Sequence, residues 1–355
     1  ARNTRNFVQN IPSSTNTLVV GGLFDAEDLF GAWNLYKAIE GKAKNNNKIV
    51  MGPWFHGQWG GRADGSNLGN ARFGSKTAEW YQNNVEVPFF NYYLKDKGDA
   101  SKIAEATVFF TGENNWKQLP QWPPPNTTTQ TIYLQKDGEL AWSKSTTTSF
   151  TQYTSDPAKP VPYTEDVHLS RTREYMTDDQ RFAARRTDVL VFETLVLTED
   201  LTLGGPVIAD LKVTLSTTDA DFVVKLIDVF PDTFTYDTSF CCKGDSKVEM
   251  AGYQMLVRGE IMRGRFRNSF EKPEAFTPGK TETVKFELPD VAHTFKRGHK
   301  LMIQIQSSWF PVFDRNPQQF VDIYKCEDKD FVPSDIKVFH QSDAASSISL
   351  PVLRD

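Results

Sequence analysis

Residues 17–56 read TLVVGGLFDAEDLFGAWNLYKAIEGKAKNNNKIVMGPWFH. Thr17 to Gly22 is a short apolar, β-branched run, and Lys48 to Trp54 is a second one of the same kind. Between them Leu29, Trp33, Tyr36 and Ile39 recur at the steps of one helix face. Strand, helix and strand in so few residues make one βαβ crossover, and apolar runs without alternation suit strands covered on both faces. The reading is therefore a parallel sheet. Lys76 to Lys95 predicts a further helix, interrupted at Pro88.

From about Ile103 onward the pattern changes. Short alternating runs follow one another, among them ATVFFTG, TIYLQ, DLKVTLST, FVVKLIDVF, TVKFELP and KLMIQIQSS, punctuated by Gly, Pro, Asp and Asn. Such spacing predicts an all-β sandwich or barrel. Leu119 to Thr129 (LPQWPPPNTTT) predicts an extended proline-rich connector, and Tyr153 to Arg186 an irregular passage wrapping the surface. No internal repeat is present. Two parallel strands with bare edges do not make a stable domain, so the first hundred residues read as the end of a larger α/β domain and the chain as a C-terminal portion. Its first residue, Ala rather than Met, points the same way.

Hydrophobic residues at 39% and charged at 24% exclude disorder as the main state of these 355 residues. Forty Lys and Arg against 45 Asp and Glu leave a net charge of −5, with no basic block to neutralise a run of phosphates, so a nucleic-acid partner is not expected. No apolar run approaches the ~18 residues that span a bilayer, and no membrane partner is expected either. Cys241, Cys242 and Cys326 do not form a disulfide framework. At most one bridge could form, to Cys326, and free, buried thiols are the favoured reading. None has metal-ligand spacing with a histidine, so neither zinc nor another cofactor is expected.

In open α/β sheets, reactive groups stand just beyond the carboxyl ends of the strands. Asp25 lies just past the first strand and His56 just past the second, one crossover unit apart, which brings both to the same rim. A carboxylate beside an imidazole is the acid and base of a serine hydrolase, and the order Asp then His agrees with α/β-hydrolase usage. Plainer roles compete. Asp25 precedes a helix with Glu27 and Asp28 in its expected first turn, where it would cap, and a lone histidine is most often a satisfied, half-buried side chain. No G-x-S-x-G occurs anywhere, so the nucleophile is missing.

The strings VVGGLFDAEDLFGA (19–32), MGPWFHGQWGGR (51–62), SDPAKPVPY (155–163), TREYMTDDQRFAARR (172–186) and HTFKRGHKLMIQIQSSWFPVFDRNPQ (293–318) fall in this order. Together they resemble the α-amino-acid ester hydrolases and glutaryl-7-aminocephalosporanic-acid acylases, within the X-Pro dipeptidyl-peptidase-like serine hydrolases that include cocaine esterase. The resemblance covers essentially the whole chain. It implies an α/β-hydrolase domain followed by a jelly-roll, galactose-binding-like β-sandwich. The corresponding division is a remnant over 1–102, connecting strands and irregular chain over 103–185, and the sandwich over 186–355. It also implies Asp25 as the triad acid and His56 as the general base. The family's serine and oxyanion-hole tyrosine lie upstream of the aspartate motif, as does the carboxylate cluster that holds a substrate ammonium, so none is assigned here. An ester, amide or short-peptide substrate and the upstream part of the same polypeptide are the implied partners. A homo-oligomer is left open, and a periplasmic or secreted address fits the family.

Gly298 reads as a hairpin glycine, Asp314, Asn316 and Pro317 as a turn, and His293 and His299 as surface or interdomain residues. Trp54, Phe55 and Trp59 read as packing or as cleft lining. Asn126-Thr127-Thr128 matches a glycosylation pattern. A non-catalytic sandwich that binds a peptide, glycan or partner subunit is the competing reading. The Asp25–His56 distance discriminates the two.

Overall fold

A computed structural model describes residues 3–61, 63–236, 249–341 and 343–354. The crossover forms as the pattern requires. Strand β1 (Asn16–Gly22) runs parallel to β2 (Asn46–Gly52), paired from Asn16 with Asn46 to Gly22 with Gly52. Helix α1 (Leu29–Lys42) connects them and buries Leu29, Trp33, Tyr36 and Ile39. Both strands therefore end at the same level.

The parallel sheet is larger than expected. ATVFFTG, read as part of the β-sandwich, supplies β3 (Ala106–Phe110), which lies parallel to β2 with all five residues buried. Burial on both faces, rather than on alternate residues, places it there. Strand β4 (Asn115–Leu119) folds back antiparallel on β3, giving the order β1-β2-β3-β4. The Lys76–Lys95 segment is not broken at Pro88: α2 (Thr77–Tyr81) continues through a π turn at Gln82–Glu86 into α3 (Val87–Lys95). Pro88 stands in the first turn of α3, next to the wide turn, where a missing N–H costs little.

Two antiparallel sheets make up most of the remainder. Strands β5 (Thr127–Leu134), β6 (Phe150–Ser155), β7 (Leu190–Glu193), β8 (Leu201–Leu215), β9 (Asp221–Val229), β10 (Gln254–Arg263), β11 (Glu282–Phe295), β12 (Lys300–Gln306), β13 (Ser334–Gln341) and β14 (Ser347–Leu353) supply them. One sheet has the order β7-β12-β9-β10. In the other, β13, β8, β14 and β5 follow one another, with β11 also paired to β8 and β6 to β13. Leu226 and Ile303 of the first sheet share a core with Leu211, Val284 and Ile348 of the second. The same core continues through Phe110 and Trp33 to Leu23 and Phe24 beside β1. Trp33 stacks on Trp122 of the proline-rich connector at 4.5 Å, and the Trp122 indole donates to Asp290 at 2.7 Å. The sandwich and the parallel sheet are thus joined behind α1.

Several local expectations change. Of the two places read for His293 and His299, the surface is excluded: both are buried and converge on the buried Asp228, at 3.2 and 2.8 Å, while His293 Nδ1 also lies 2.8 Å from Thr111 Oγ1, just past β3 of the parallel sheet, as an interdomain residue would. Asn316 turns the chain as expected, its Oδ1 accepting the Gln318 N–H at 2.8 Å, but it is also buried and donates to Asp219 and Asp221. Cys326 is a free thiol, but half-exposed rather than buried. Cys241 and Cys242 lie outside the described residues. Gly298 does hold the left-handed conformation of a tight turn, with φ of 90°.

Candidate active site

The ends of β1 and β2 are sewn together by backbone. Leu23 N–H donates to Gly52 O at 2.8 Å and Phe24 N–H to Trp54 O at 3.1 Å. This requires a very close approach at Gly22, where a Cβ would stand 2.2 Å from the Trp54 carbonyl oxygen. Only glycine fits. Trp54 is itself fixed, fully buried, with its indole donating to Thr77 Oγ1 at 2.8 Å and that hydroxyl donating to Gly65 O at 2.6 Å.

The chain leaving β1 therefore turns at a defined place, and Asp25 stabilises the turn. Its Oδ1 accepts the backbone N–H groups of Glu27 and Asp28 at 2.8 and 3.0 Å. Its Oδ2 lies 3.0 Å from His56 Nδ1. The capping role and the pairing role are filled by different oxygens of one carboxylate. Glu27 and Asp28 stand before α1 rather than in its first turn, which begins at Leu29. Sequence reasoning treated them as helix-dipole acids only.

Burial divides the pair asymmetrically. The Asp25 side chain is 1% exposed and that of His56 43%. The buried carboxylate is saturated with donors, and the imidazole is left open to the surface. With Nδ1 committed to Asp25, Nε2 is the nitrogen available to a reactant. Two more carboxylates surround the ring: Glu27 Oε2 is 3.8 Å from Nε2, and Asp28 Oδ2 is 3.6 Å from Nδ1. Both are well exposed. Arg171 pairs with the other Glu27 oxygen at 2.5 Å and so offsets part of this charge. The rings of His56 and Trp59 meet edge to face at 6.5 Å, and Arg173 lies over Phe55.

Two hollows flank the Asp25–Glu27 turn. One, of about 180 Å³, is walled by Asp25, Tyr175, Met176, Glu260 and Trp309. The other, of about 630 Å³, lies between Glu27, the Tyr163–Arg171 passage and Phe310–Phe313. The irregular passage expected to wrap the surface thus reaches the rim of the pair. Asp25, Asp28 and His56 bring three ligand atoms within 4.8 Å of one another. A cation ligated by all three would take the place of the proton shared by His56 Nδ1 and Asp25 Oδ2, and so would break the hydrogen bond that joins the pair.

A family profile described as the X-Pro dipeptidyl-peptidase C-terminal non-catalytic domain matches residues 84–328. Asp25 and His56 fall outside the matched span. Cocaine esterase from Rhodococcus sp. (strain MB1 Bresler) is 28% identical over 353 residues, which are 96% of this chain and 57% of that protein. An aminopeptidase from a marine sediment archaeon, Thaumarchaeota archaeon, superposes with a TM-score of 0.90 and 36% identity, covering 99% of this chain and 57% of the other. An α-amino acid ester hydrolase gives the same score and identity over 98% of this chain and 57% of its own. The chain spans little more than half the length of these relatives.

Proposed function

We propose, from the premise that the chain belongs to the X-Pro dipeptidyl-peptidase-like family that includes cocaine esterase, that it carries the acid and the base of a serine acyl hydrolase. In this reading β1, α1, β2 and β3 are the end of an α/β-hydrolase sheet and the two antiparallel sheets are its jelly-roll companion. The observation that carries the proposal is the 3.0 Å contact between Asp25 Oδ2 and His56 Nδ1 at the shared rim of two parallel strands.

The nucleophile belongs to polypeptide outside these 355 residues. β1 is an edge strand of its sheet, and beside it a hollow of about 940 Å³ is lined by Val8, Leu18, Val20, Phe30, Leu35 and other largely apolar side chains. A serine-bearing α/β segment that pairs with this edge would cover both the open backbone and the apolar hollow. The serine hydroxyl would then give its proton to His56 Nε2 as its oxygen attacks an ester or amide carbonyl. Asp25 holds the tautomer with Nδ1 protonated and stabilises the imidazolium. His56 next protonates the leaving group, and water, deprotonated by the same nitrogen, cleaves the acyl-enzyme. The exposed Glu27 and Asp28 carboxylates favour a substrate that carries an amine close to the scissile carbonyl.

The experiment is hydrolysis of an amino-acid ester and an amino-acid anilide by the polypeptide that includes the serine-bearing segment, with His56→Gln as the comparison. Loss of turnover on both, with the fold kept, supports the reading. Undiminished turnover rejects it and leaves the non-catalytic role described for residues 84–328 as the function of the whole chain.

A further inference from the structure

Resting on that reading, we infer that Arg258, deep in the β-sandwich, is a positioning residue for the Asp25–His56 pair. Arg258 lies on β10, where pairing with β9 passes from Leu226 opposite Arg258 to Ile227 opposite Leu256, so that Val257 is an extra residue. Bulges of this kind re-aim a side chain. The redirected guanidinium leaves its own sheet and donates from Nη1 to the carbonyl of Leu23 at 2.6 Å. Leu23 is the first residue beyond β1, two before Asp25. Its N–H is held by Gly52, so the arginine secures the other side of the same peptide segment.

The arrangement is costly for a purely structural contact. Arg258 is 1% exposed, and its Nε has no hydrogen-bond partner among the described residues. No carboxylate forms an ion pair with it among those residues. Asp290 and Glu260 act on it only through their charge, and Asp290 is already occupied by Lys37 and the Trp122 indole. Burial accordingly pushes the guanidinium down to about 10. A desolvated cation spends its strongest hydrogen bond on one carbonyl in the turn that carries the acid. A charge-assisted bond of this length in a dry site fixes where Asp25 begins, and through Asp25 the tilt of the imidazole. The sandwich therefore sets the geometry of the pair although neither member of the pair lies in it.

The test reads the pair directly, on this chain. His56 Nδ1–H, held against the buried Asp25, is expected to give a low-field proton resonance that exchanges more slowly than that of a free imidazole. In Arg258→Met that signal is expected to broaden into the solvent or exchange at least about tenfold faster, while amide dispersion and the unfolding transition report a folded protein; Arg258→Lys restores it in part. In the polypeptide with the serine-bearing segment, Arg258→Met is expected to lower kcat by about 10- to 100-fold with KM within about twofold, as for a small misplacement of reacting groups. If Arg258→Met does not fold, Arg258→Lys alone decides, since it keeps the charge but cannot keep the same reach. An unchanged low-field signal and an unchanged kcat in either folded variant overturn the inference. A signal that survives Asp25→Asn instead overturns the pairing itself, and separates failure of the functional reading from failure of the arginine's role.

Discussion

Asp25 gives one carboxylate oxygen to the backbone N–H groups of Glu27 and Asp28 and the other to Nδ1 of His56, so the side chain that shapes the turn also holds the imidazole. Asp25→Asn keeps an acceptor for the two N–H groups and removes the charge facing the ring. The expected result is a fall in turnover of about 10³- to 10⁴-fold with little change in stability, by comparison with the aspartate of chymotrypsin-type triads. Steady-state kinetics and thermal unfolding of the serine-bearing polypeptide check both halves. A large loss of stability with proportionate loss of activity would mean that capping is the whole of its role.

Gly22 has no room for a methyl group, since the Trp54 carbonyl oxygen would be 2.2 Å from it. Gly22→Ala is expected to push the ends of β1 and β2 apart and to destabilise the fold by about 1 to 3 kcal/mol, the usual cost of overpacking. The low-field His56 proton is expected to vanish with it. Denaturant titration and proton NMR measure the two effects, and a variant as stable as the parent with that proton retained contradicts the close approach.

Glu27 and Asp28 leave two exposed carboxylates around His56, one of them shared with Arg171. Neutralising both, as Glu27→Gln with Asp28→Asn, is expected to raise KM for an ester with a free α-amine by about tenfold, as one charge-assisted contact of ~1.4 kcal/mol implies. The matched ester without the amine is expected to change little. Equal effects on the two substrates remove any role in recognition.

Lys225 is fully buried on β9, donates to Gln180 Oε1 at 2.8 Å and has no carboxylate partner among the described residues, and burial lowers it to about 7 from an ordinary 10.5. Its unfolded form keeps the proton up to the higher value and its folded form does not. Between about pH 7 and pH 10.5 the unfolded state therefore binds more protons, and this residue makes stability rise with pH. The penalty is greatest below the folded value, where the charged form must be buried. Lys225→Met is expected to flatten that rise and to gain most, relative to the parent, at pH 7. Denaturation midpoints at pH 7, 8.5 and 10 show it, and parallel curves for the two proteins rule out a buried neutral lysine.

The crossover was legible because periodicity and burial coincide there. Leu29, Trp33, Tyr36 and Ile39 repeat at helix spacing and are the residues α1 buries. The apolar runs of β1 and β2 needed no alternation because both strands are covered. Placing Asp25 and His56 at one rim followed from that topology alone. Other features were hidden by the same logic. ATVFFTG looks like any short β-run, and only its neighbour decides that it joins the parallel sheet. Ser334–Gln341 and Ser347–Leu353 pair as strands although serines, charges and Pro351 interrupt them. His293 and His299 read as surface or interdomain residues, and nothing in the chain order reveals that Asp228, on another strand, meets both. Arg258 left a faint trace, an arginine directly after the run YQMLV (253–257). Its target 235 residues away could not be read from it. The D-A-E-D string held a clearer signal, three acids within four residues beside the base, which helix-dipole reasoning absorbed.

The central claim is that His56 activates a serine contributed by polypeptide beyond these residues. The most direct measurement is labelling with a fluorophosphonate probe, followed by peptide mapping, in the polypeptide that carries this chain together with the serine-bearing segment. The account predicts one labelled serine, outside the 355 residues, whose labelling is lost in His56→Asn and strongly slowed in Asp25→Asn. Labelling that proceeds at the parent rate in both variants, or that falls on a serine within this chain, contradicts it.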